Sequence, residues 1–333
     1  MKNDPHEPIK RLSEFGKTDT LEDWFAEFNE QLGAVTLPPI RADGGPLPFV
    51  YIVGAPRSGT TLLSQVLSHC LELGYINNLV AKFWRRPSVG IRLSQSVLGD
   101  DPGRTLAFTS KYGTTEGAAG PHEFGYFWRH WLPLDSARTH HLTEQDLEKA
   151  DGDGLRHAIE QEILAAFNKP VVTKNVICGF MAAYLSRLHP ASLFIHIDRD
   201  PYTTACSILL ARKMRYGTYD AWWSLKPAAW PFTAANPGEE VGLQVLHCRK
   251  EMTEELAKPG VNALHVTYEE LCASPQSVIE KVQQALAAMG ADAIQLRTLE
   301  KAFAPTPPPN VPQDLAEGIY RALHRFLALS AGA

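Results

Sequence analysis

Residues 49–63 read Phe-Val-Tyr-Ile-Val-Gly-Ala-Pro-Arg-Ser-Gly-Thr-Thr-Leu-Leu, and no other stretch restricts the fold as tightly. The first five are all β-branched or aromatic, which predicts a strand buried on both faces. Gly54, Pro56 and Gly59 then break the pattern, as a tight loop requires. From Thr60 apolar residues recur at helical spacing: Leu62, Leu63, Val66, Leu67 and Cys70. A buried strand that turns through small residues into a helix gathers backbone N–H groups at the helix N-terminus. The helix dipole adds partial positive charge there, so this loop is built to hold an anion, most often a phosphate.

Residues 54–61 nearly fit Gly-x-x-x-x-Gly-Lys-Ser/Thr, the phosphate loop of nucleotide triphosphatases. The Lys position holds Thr60, and a cation, Arg57, sits three residues earlier. An enzyme that grips β- and γ-phosphates needs that Lys and a Mg²⁺ hydroxyl beside it. Arg before Ser-Gly-Thr-Thr instead cradles one terminal phosphate with no metal. Pro-Arg-Ser-Gly-Thr-Thr-Leu-Leu resembles the 5′-phosphosulfate loop of the sulfotransferase family, whose members use 3′-phosphoadenosine 5′-phosphosulfate (PAPS) as sulfuryl donor. The resemblance implies that Arg57, Ser58, Gly59, Thr60, Thr61 and Leu62 bind that donor, that adenosine 3′,5′-bisphosphate is the product, and that no metal is required.

A second strand-to-helix unit follows. Residues 192–197 predict a buried strand that runs into Asp198-Arg-Asp-Pro and a helix from about residue 203 to 215. Arg199 and Ser207 lie eight residues apart across it. In the family, an Arg and a Ser at this spacing hold the 3′-phosphate of the donor. A forked, permanent cation and a hydroxyl suit that task. Residues 171–212 resemble the tyrosylprotein and carbohydrate enzymes more than the cytosolic aryl ones, including Lys174 and Leu185-Ser-Arg-Leu-His-Pro. The resemblance implies that Lys174 stabilises the transferring group. Lys174 ends a predicted strand, and open α/β sheets bind ligands at that edge. A lysine merely salt-bridged at a strand end is the competing reading. Two features depart from the family. Asn77 and Asn78 stand near where a catalytic Glu is found, and the C-terminal basic glycine-rich loop of cytosolic members has no counterpart.

Amides accept protons poorly, so a base must come from elsewhere. Residues 121–131 begin Pro-His-Glu and continue through Phe124, Phe127, Trp128 and Trp131 at helical spacing. Packing accounts for the aromatics but not for His122 and Glu123. Glu123 is favoured because family members with this loop type often use Glu. His122 has the better-matched unperturbed pKa. Lys82, Arg85, Arg86 and Arg92 either guide an anion or form a solvated basic face, and His140 and His141 read as solvated. Residues 99–121 read as a surface excursion or lid and residues 216–237, with Trp222, Trp223 and Trp230, as a cap over the pocket or a satellite core.

The chain thus predicts an α/β fold of three-layer, P-loop-like type: a central, mostly parallel sheet, flanking helices, and helical insertions capping an acceptor pocket. Residues 1–19 are expected to be mobile, with Thr20 capping a first helix. Residues 1–45 form an arm and linker and residues 46–333 one sulfotransferase-like domain. Helices are expected over 142–167, 179–188, 239–257, 277–289, 294–303 and 314–329. With 44% apolar residues the chain can bury a large core, and a net charge of −5 argues against non-specific nucleic-acid binding. Its five cysteines are scattered without Cys-x-x-Cys, so neither zinc nor a disulfide framework is expected. No leader-like apolar segment or 18-residue apolar run occurs, which predicts a cytoplasmic protein. The leading functional reading is sulfuryl transfer to a hydroxyl or amine of a small-molecule, glycan or lipid acceptor, with a homodimer left open. A P-loop phosphotransferase or nucleotide hydrolase, and a non-catalytic adenosine bisphosphate-binding protein, are the alternatives.

Overall fold

The computed structural model describes residues 11–12, 19–36, 38, 40, 45–135, 137–299 and 302–331. Five parallel strands form one sheet: β1 (Phe49–Val53), β2 (Gly74–Tyr75), β3 (Val171–Lys174), β4 (Ser192–Asp198) and β5 (Asn262–Thr267), in the order β2-β3-β1-β4-β5. Phe49 lies opposite Val171 on one side and Ser192 on the other, and Val53 opposite His196.

Alternation along β1 explains the layers. Phe49, Tyr51 and Val53 enter one core with Phe127, Trp128 and Phe194. Val50 and Ile52 enter a second with Leu63, Val66 and Leu67 from the helix Thr60–Cys70. Both faces of the sheet are therefore covered, as an all-parallel sheet requires. The connection order reverses at β1, whose neighbours are β3 and β4. The crevice beyond the strand C-termini at such a reversal is where open sheets bind ligands.

The helix Asp19–Gly33 begins one residue before Thr20, so its cap falls outside the described residues. It lies against the body through Asn29, whose Nδ2 donates to Lys82 O and whose Oδ1 accepts from Arg85 N–H. Of the segment expected to be mobile, Arg11, Leu12 and Asp19 are described, and Leu12 N–H donates to Arg215 O at 2.7 Å.

Three expected helices differ. Residues 142–167 hold a capped turn, Glu144–Leu147, and then a separate helical run from Gly152, because Asp151 Oδ1 accepts from Gly154 N–H and starts a new N-terminus. Residues 179–188 divide into a 3-10 turn, Val176–Phe180, and the helix Ala182–Leu188. The described residues of 291–303 are irregular rather than helical, and residues 300–301 of the expected helix lie outside the described residues. Their backbone bonds go to another element: Leu296 N–H donates to Cys70 O and Ile294 O accepts from Glu72 N–H. Arg297 anchors the segment by pairing with Asp101.

All five cysteines are buried and free. Among the described residues no helix is long and apolar enough to cross a membrane.

Candidate active site

Four strands end at one edge of the sheet. β1 delivers the loop at 54–59, β3 delivers Lys174 and Asn175, β4 delivers Arg199 and β5 delivers Tyr268. A cleft of about 1230 Å³ lies over that edge.

The loop is shaped by two close approaches. A Cβ at Gly54 would sit 2.4 Å from Ile197 O, so the chain passes against β4 only without a side chain. Gly59 has φ 104°, and a Cβ there would meet Tyr268 Cδ2 at 2.5 Å. Gly59 is also the N-cap of the helix Thr60–Cys70 and supplies no side-chain cap. First-turn N–H groups of a helix have no partner within it, and here the first turn faces the cleft through Thr60, Thr61 and Leu62. Ser58 lies beneath the loop, its Oγ buried without a hydrogen-bond partner among the described residues. Arg57 adopts φ 71°, an uncommon conformation for a residue with a Cβ, which aims its guanidinium into the cleft.

Arg57 is one of three arginines gathered there. Its Nε donates to Ser207 Oγ at 3.0 Å. Arg199 donates to Arg57 O at 3.3 Å and to Thr306 O at 2.5 Å, with its guanidinium 4.1 Å from the centre of the Tyr268 ring. Arg215 reaches Tyr112 O at 3.2 Å. Burial, followed by repulsion from Arg199 and Arg215, pulls the Arg57 pKa down to about 10. An anion at this point would relieve that repulsion.

Glu123 and Lys174 form the other focus. Lys174 Nζ lies 2.6 Å from Glu123 Oε1 and donates to Thr61 Oγ1 at 3.2 Å, so one ammonium touches both the carboxylate and the phosphate-type loop. The Lys174 side chain is 1% exposed and that of Glu123 50%, so the carboxylate, not the lysine, is what the cleft meets. Burial alone would raise the Glu123 pKa. The charge and hydrogen bond of Lys174 outweigh it, helped by His122 and Arg215, and hold it below the usual carboxylate range. Asn175 Nδ2 donates to Glu123 O at 2.9 Å, and His122 Nδ1 accepts from Phe124 N–H at 2.9 Å. Glu123 lines the cleft, whereas His122 is not among its lining residues.

Beyond Glu123 the wall is aromatic and cationic. Trp222, Trp223, Leu225, Lys226 and Trp230 come from the 216–237 cap, and Arg129 from the helix Gly125–Trp131. Lys226 Nζ sits 4.4 Å from the centre of the Trp230 ring. Phe108, Tyr112 and Gly113 of the 99–121 segment also line the cleft. Among the described residues no group of three His, Cys, Asp or Glu side chains could hold a metal ion.

A family model described as the sulfotransferase family matches residues 48–288, well over half of the chain. The chain belongs to the sulfotransferase family. Its chemistry is sulfuryl transfer, and neither the phosphotransferase nor the non-catalytic reading gains support. Three solved structures are similar to this sulfotransferase. STF1 from Mycobacterium tuberculosis H37Rv shares 15% identity at a TM-score of 0.46, over 90% of this chain and 75% of that one. STF9 from Mycobacterium avium shares 14% at 0.44, over 92% and 72%. A sulfotransferase from Alicyclobacillus acidocaldarius shares 16% at 0.37, over 86% and 96%. At these values the likenesses carry no residue assignment. No curated protein matches the sulfotransferase in sequence.

Several sequence-based expectations need correction. Lys82, Arg85 and Arg86 do not guide an anion: Arg86 pairs with Glu162 at 3.2 Å, Arg85 with Glu30 at 3.0 Å, and Lys82 stands over Phe25. Neither do they or Arg92 line the cleft. Asn77 is a buried turn residue whose Oδ1 accepts from Leu79 and Val80 N–H. His140 and His141 are partly exposed but tied down rather than free: His141 Nδ1 meets Glu251 at 2.6 Å and His140 Nδ1 accepts from Lys226 N–H at 3.0 Å. Tyr268, Thr306, Tyr112 and Arg215 belong to the cleft but were not singled out as site residues. Tyr268 stands directly after β5, at the sheet edge where ligands bind.

Proposed function

We propose that this sulfotransferase takes its sulfuryl group from PAPS and passes it to a hydroxyl or amine of an organic acceptor. The observation that carries this reading is the convergence of Arg57, Arg199 and Arg215 on a helix N-terminus without a side-chain cap, with Ser207 hydrogen-bonded to Arg57. Such a set suits a ligand bearing two separated phosphate-type groups. The buried, unpartnered Ser58 Oγ offers a further donor under the loop. In this assignment Arg57, Ser58, Gly59, Thr60, Thr61 and Leu62 hold the 5′-phosphosulfate, and Arg199 and Ser207 the 3′-phosphate.

Transfer then runs as an in-line displacement. The acceptor oxygen forms a bond to sulfur while the bond from sulfur to the 5′-phosphate oxygen breaks. Glu123 takes the acceptor proton, and adenosine 3′,5′-bisphosphate leaves with the bonding electrons. Arg57 and the first-turn N–H groups stabilise the charge that builds on the sulfuryl and leaving oxygens, and Lys174, buried behind Glu123 and Thr61, adds its charge from beneath the cleft surface. Glu123 is preferred over His122 because it faces the cleft and has Lys174 beside it. The aromatic wall suits a ring-bearing acceptor, with small molecules, glycans and lipid headgroups as classes to screen. Residues 46–333 would form the catalytic unit and residues 1–45 an arm. The cytoplasm is the compartment that fits the sequence.

Thermal unfolding tests the donor. Adenosine 3′,5′-bisphosphate at a hundred times its dissociation constant adds about 2.7 kcal/mol. A clear rise in Tm with this ligand, and none with ATP and Mg²⁺, is the expected result. A rise with ATP and Mg²⁺ alone would overturn the donor assignment.

A further inference from the structure

The peptide group between Glu123 and Phe124 is held from both sides. Its carbonyl accepts from Asn175 Nδ2 at 2.9 Å, and its N–H donates to His122 Nδ1 at 2.9 Å. Phe124 itself lies in the left-handed region, with φ 55° and ψ 38°, as N-cap of the helix Gly125–Trp131. A residue with a Cβ takes that conformation only where its surroundings impose it. Here the Phe124 ring is buried and stacked on Phe127 at 4.7 Å. Turning this peptide over would exchange its carbonyl and N–H and lose both hydrogen bonds that fix the backbone of Glu123 beside Lys174. A donor on one side and an acceptor on the other fix its sense. Asn175 and Lys174 are consecutive at the end of β3, so one strand terminus holds both the carbonyl and the carboxylate of Glu123.

We infer that His122 is a positioning residue for Glu123 and takes no acceptor proton itself. This rests on the reading of Glu123 as the base. Phe124 N–H can only donate, so Nδ1 must be the unprotonated ring nitrogen and, in the neutral ring, Nε2 carries the proton. The nitrogen engaged with the backbone is thereby unavailable for catalysis. The contact spans two residues, the spacing of an Asx-turn. Asparagine presents Oδ1 at the same number of bonds from the backbone as histidine presents Nδ1. Asparagine can therefore reproduce the clamp while lacking any basic nitrogen, and alanine can do neither.

The test uses the full chain as wild type, His122→Asn and His122→Ala, with two readouts. Amide hydrogen exchange over residues 122–126 reports the clamp without any acceptor. Sulfuryl transfer from PAPS, with kcat and donor KM separated, reports the chemistry. His122→Ala is expected to speed exchange of the Phe124 amide and to lower kcat by about 10–100-fold at unchanged donor KM, the scale of a misplaced catalytic group. His122→Asn is expected to restore both protection and most of kcat. Protection in the Asn variant with kcat as low as in the Ala variant would make His122 the proton acceptor and overturn the inference. Unchanged exchange in the Ala variant would overturn it too. If the wild type transfers nothing from PAPS, the donor or base reading has failed, and the exchange result still decides whether the clamp exists.

Discussion

Lys174 Nζ stands 2.6 Å from Glu123 Oε1 and 3.2 Å from Thr61 Oγ1, so one buried ammonium joins the carboxylate to the anion loop. If Glu123 is the base, Glu123→Gln should lower turnover by about 10²–10⁴-fold. Binding of adenosine 3′,5′-bisphosphate, followed by calorimetry, should be nearly unchanged. A Gln variant with full turnover would remove Glu123 from the mechanism.

The same contact sets a pH dependence. Lys174 keeps the Glu123 carboxyl below its ordinary range against the raising effect of burial. Lys174→Met removes the two largest effects that oppose burial and leaves only the weaker ones, so the Glu123 pKa rises. The acid limb of kcat should therefore move to higher pH in this variant, in addition to any loss of transition-state stabilisation. An acid limb that stays in place would show that Glu123 does not govern it.

Arg57 and Arg199 should contribute to donor affinity as charged hydrogen-bond donors. Removing such a bond typically costs about 1.5–3 kcal/mol, or roughly 10–150-fold in Kd at 1.4 kcal/mol per decade. Arg199→Met should weaken adenosine 3′,5′-bisphosphate on that scale, and Ser207→Ala by less, since it removes a neutral partner of Arg57. Equal affinity for the bisphosphate and for adenosine 5′-monophosphate in the wild type would dissociate these residues from the 3′-phosphate.

Much of the fold was legible because its signals are local. The run 49–63 carries strand, loop and helix within fifteen residues, and β1 and the helix Thr60–Cys70 appear where it predicts. The second unit, with Arg199 and Ser207 flanking a strand end and a helix, is similarly contiguous. What escaped depends on contacts far apart in sequence. The basic residues at 82–86 look like an anion guide until Glu30 and Glu162 come to meet them. Residues 294–299 have apolar spacing compatible with a helix, yet their backbone is taken by Cys70 and Glu72. Thr306 follows Ala-Phe-Ala-Pro and carries no local signal, and only the turn of the chain beneath Tyr268 brings it to Arg199. The family resemblance implies roles for Arg57 and Lys174, whereas the hydrogen bonds of His122 to Phe124 N–H and of Asn175 to Glu123 O are visible only in the structure.

Gly59→Ala should damage both stability and binding. Its Cβ would stand 2.5 Å from Tyr268 Cδ2 at a φ of 104°. Strained backbone of this kind costs about 1–3 kcal/mol, so Tm should fall by several degrees at about 2–4 °C per kcal/mol. Tyr268 would have to move, and Arg199 rests on its ring. Bisphosphate affinity should therefore drop as well. A variant with native Tm and native affinity would show that the loop does not press on Tyr268.

The cap should loosen as pH rises. His141 Nδ1 meets Glu251 Oε1 at 2.6 Å, and the other oxygen of Glu251 accepts from Ala228 N–H at 2.8 Å, tying the 132–141 and 216–237 segments to the helix Pro237–Leu256. The hydrogen bond to Glu251 raises the His141 pKa despite the opposing effect of burial. A folded-state pKa above the unfolded value means that the folded protein holds this proton more tightly. The stabilisation is fully present below the unfolded imidazole value of about 6.5 and is lost as pH climbs through the raised folded value. His141→Gln should therefore lower Tm most at about pH 6 and least at about pH 9. Both groups are partly exposed, so added salt should shrink the difference at the acid end. A Tm gap that is the same at both pH values, or widest in alkali, would mean that His141 is held as a neutral ring and that its charge does not stabilise the cap.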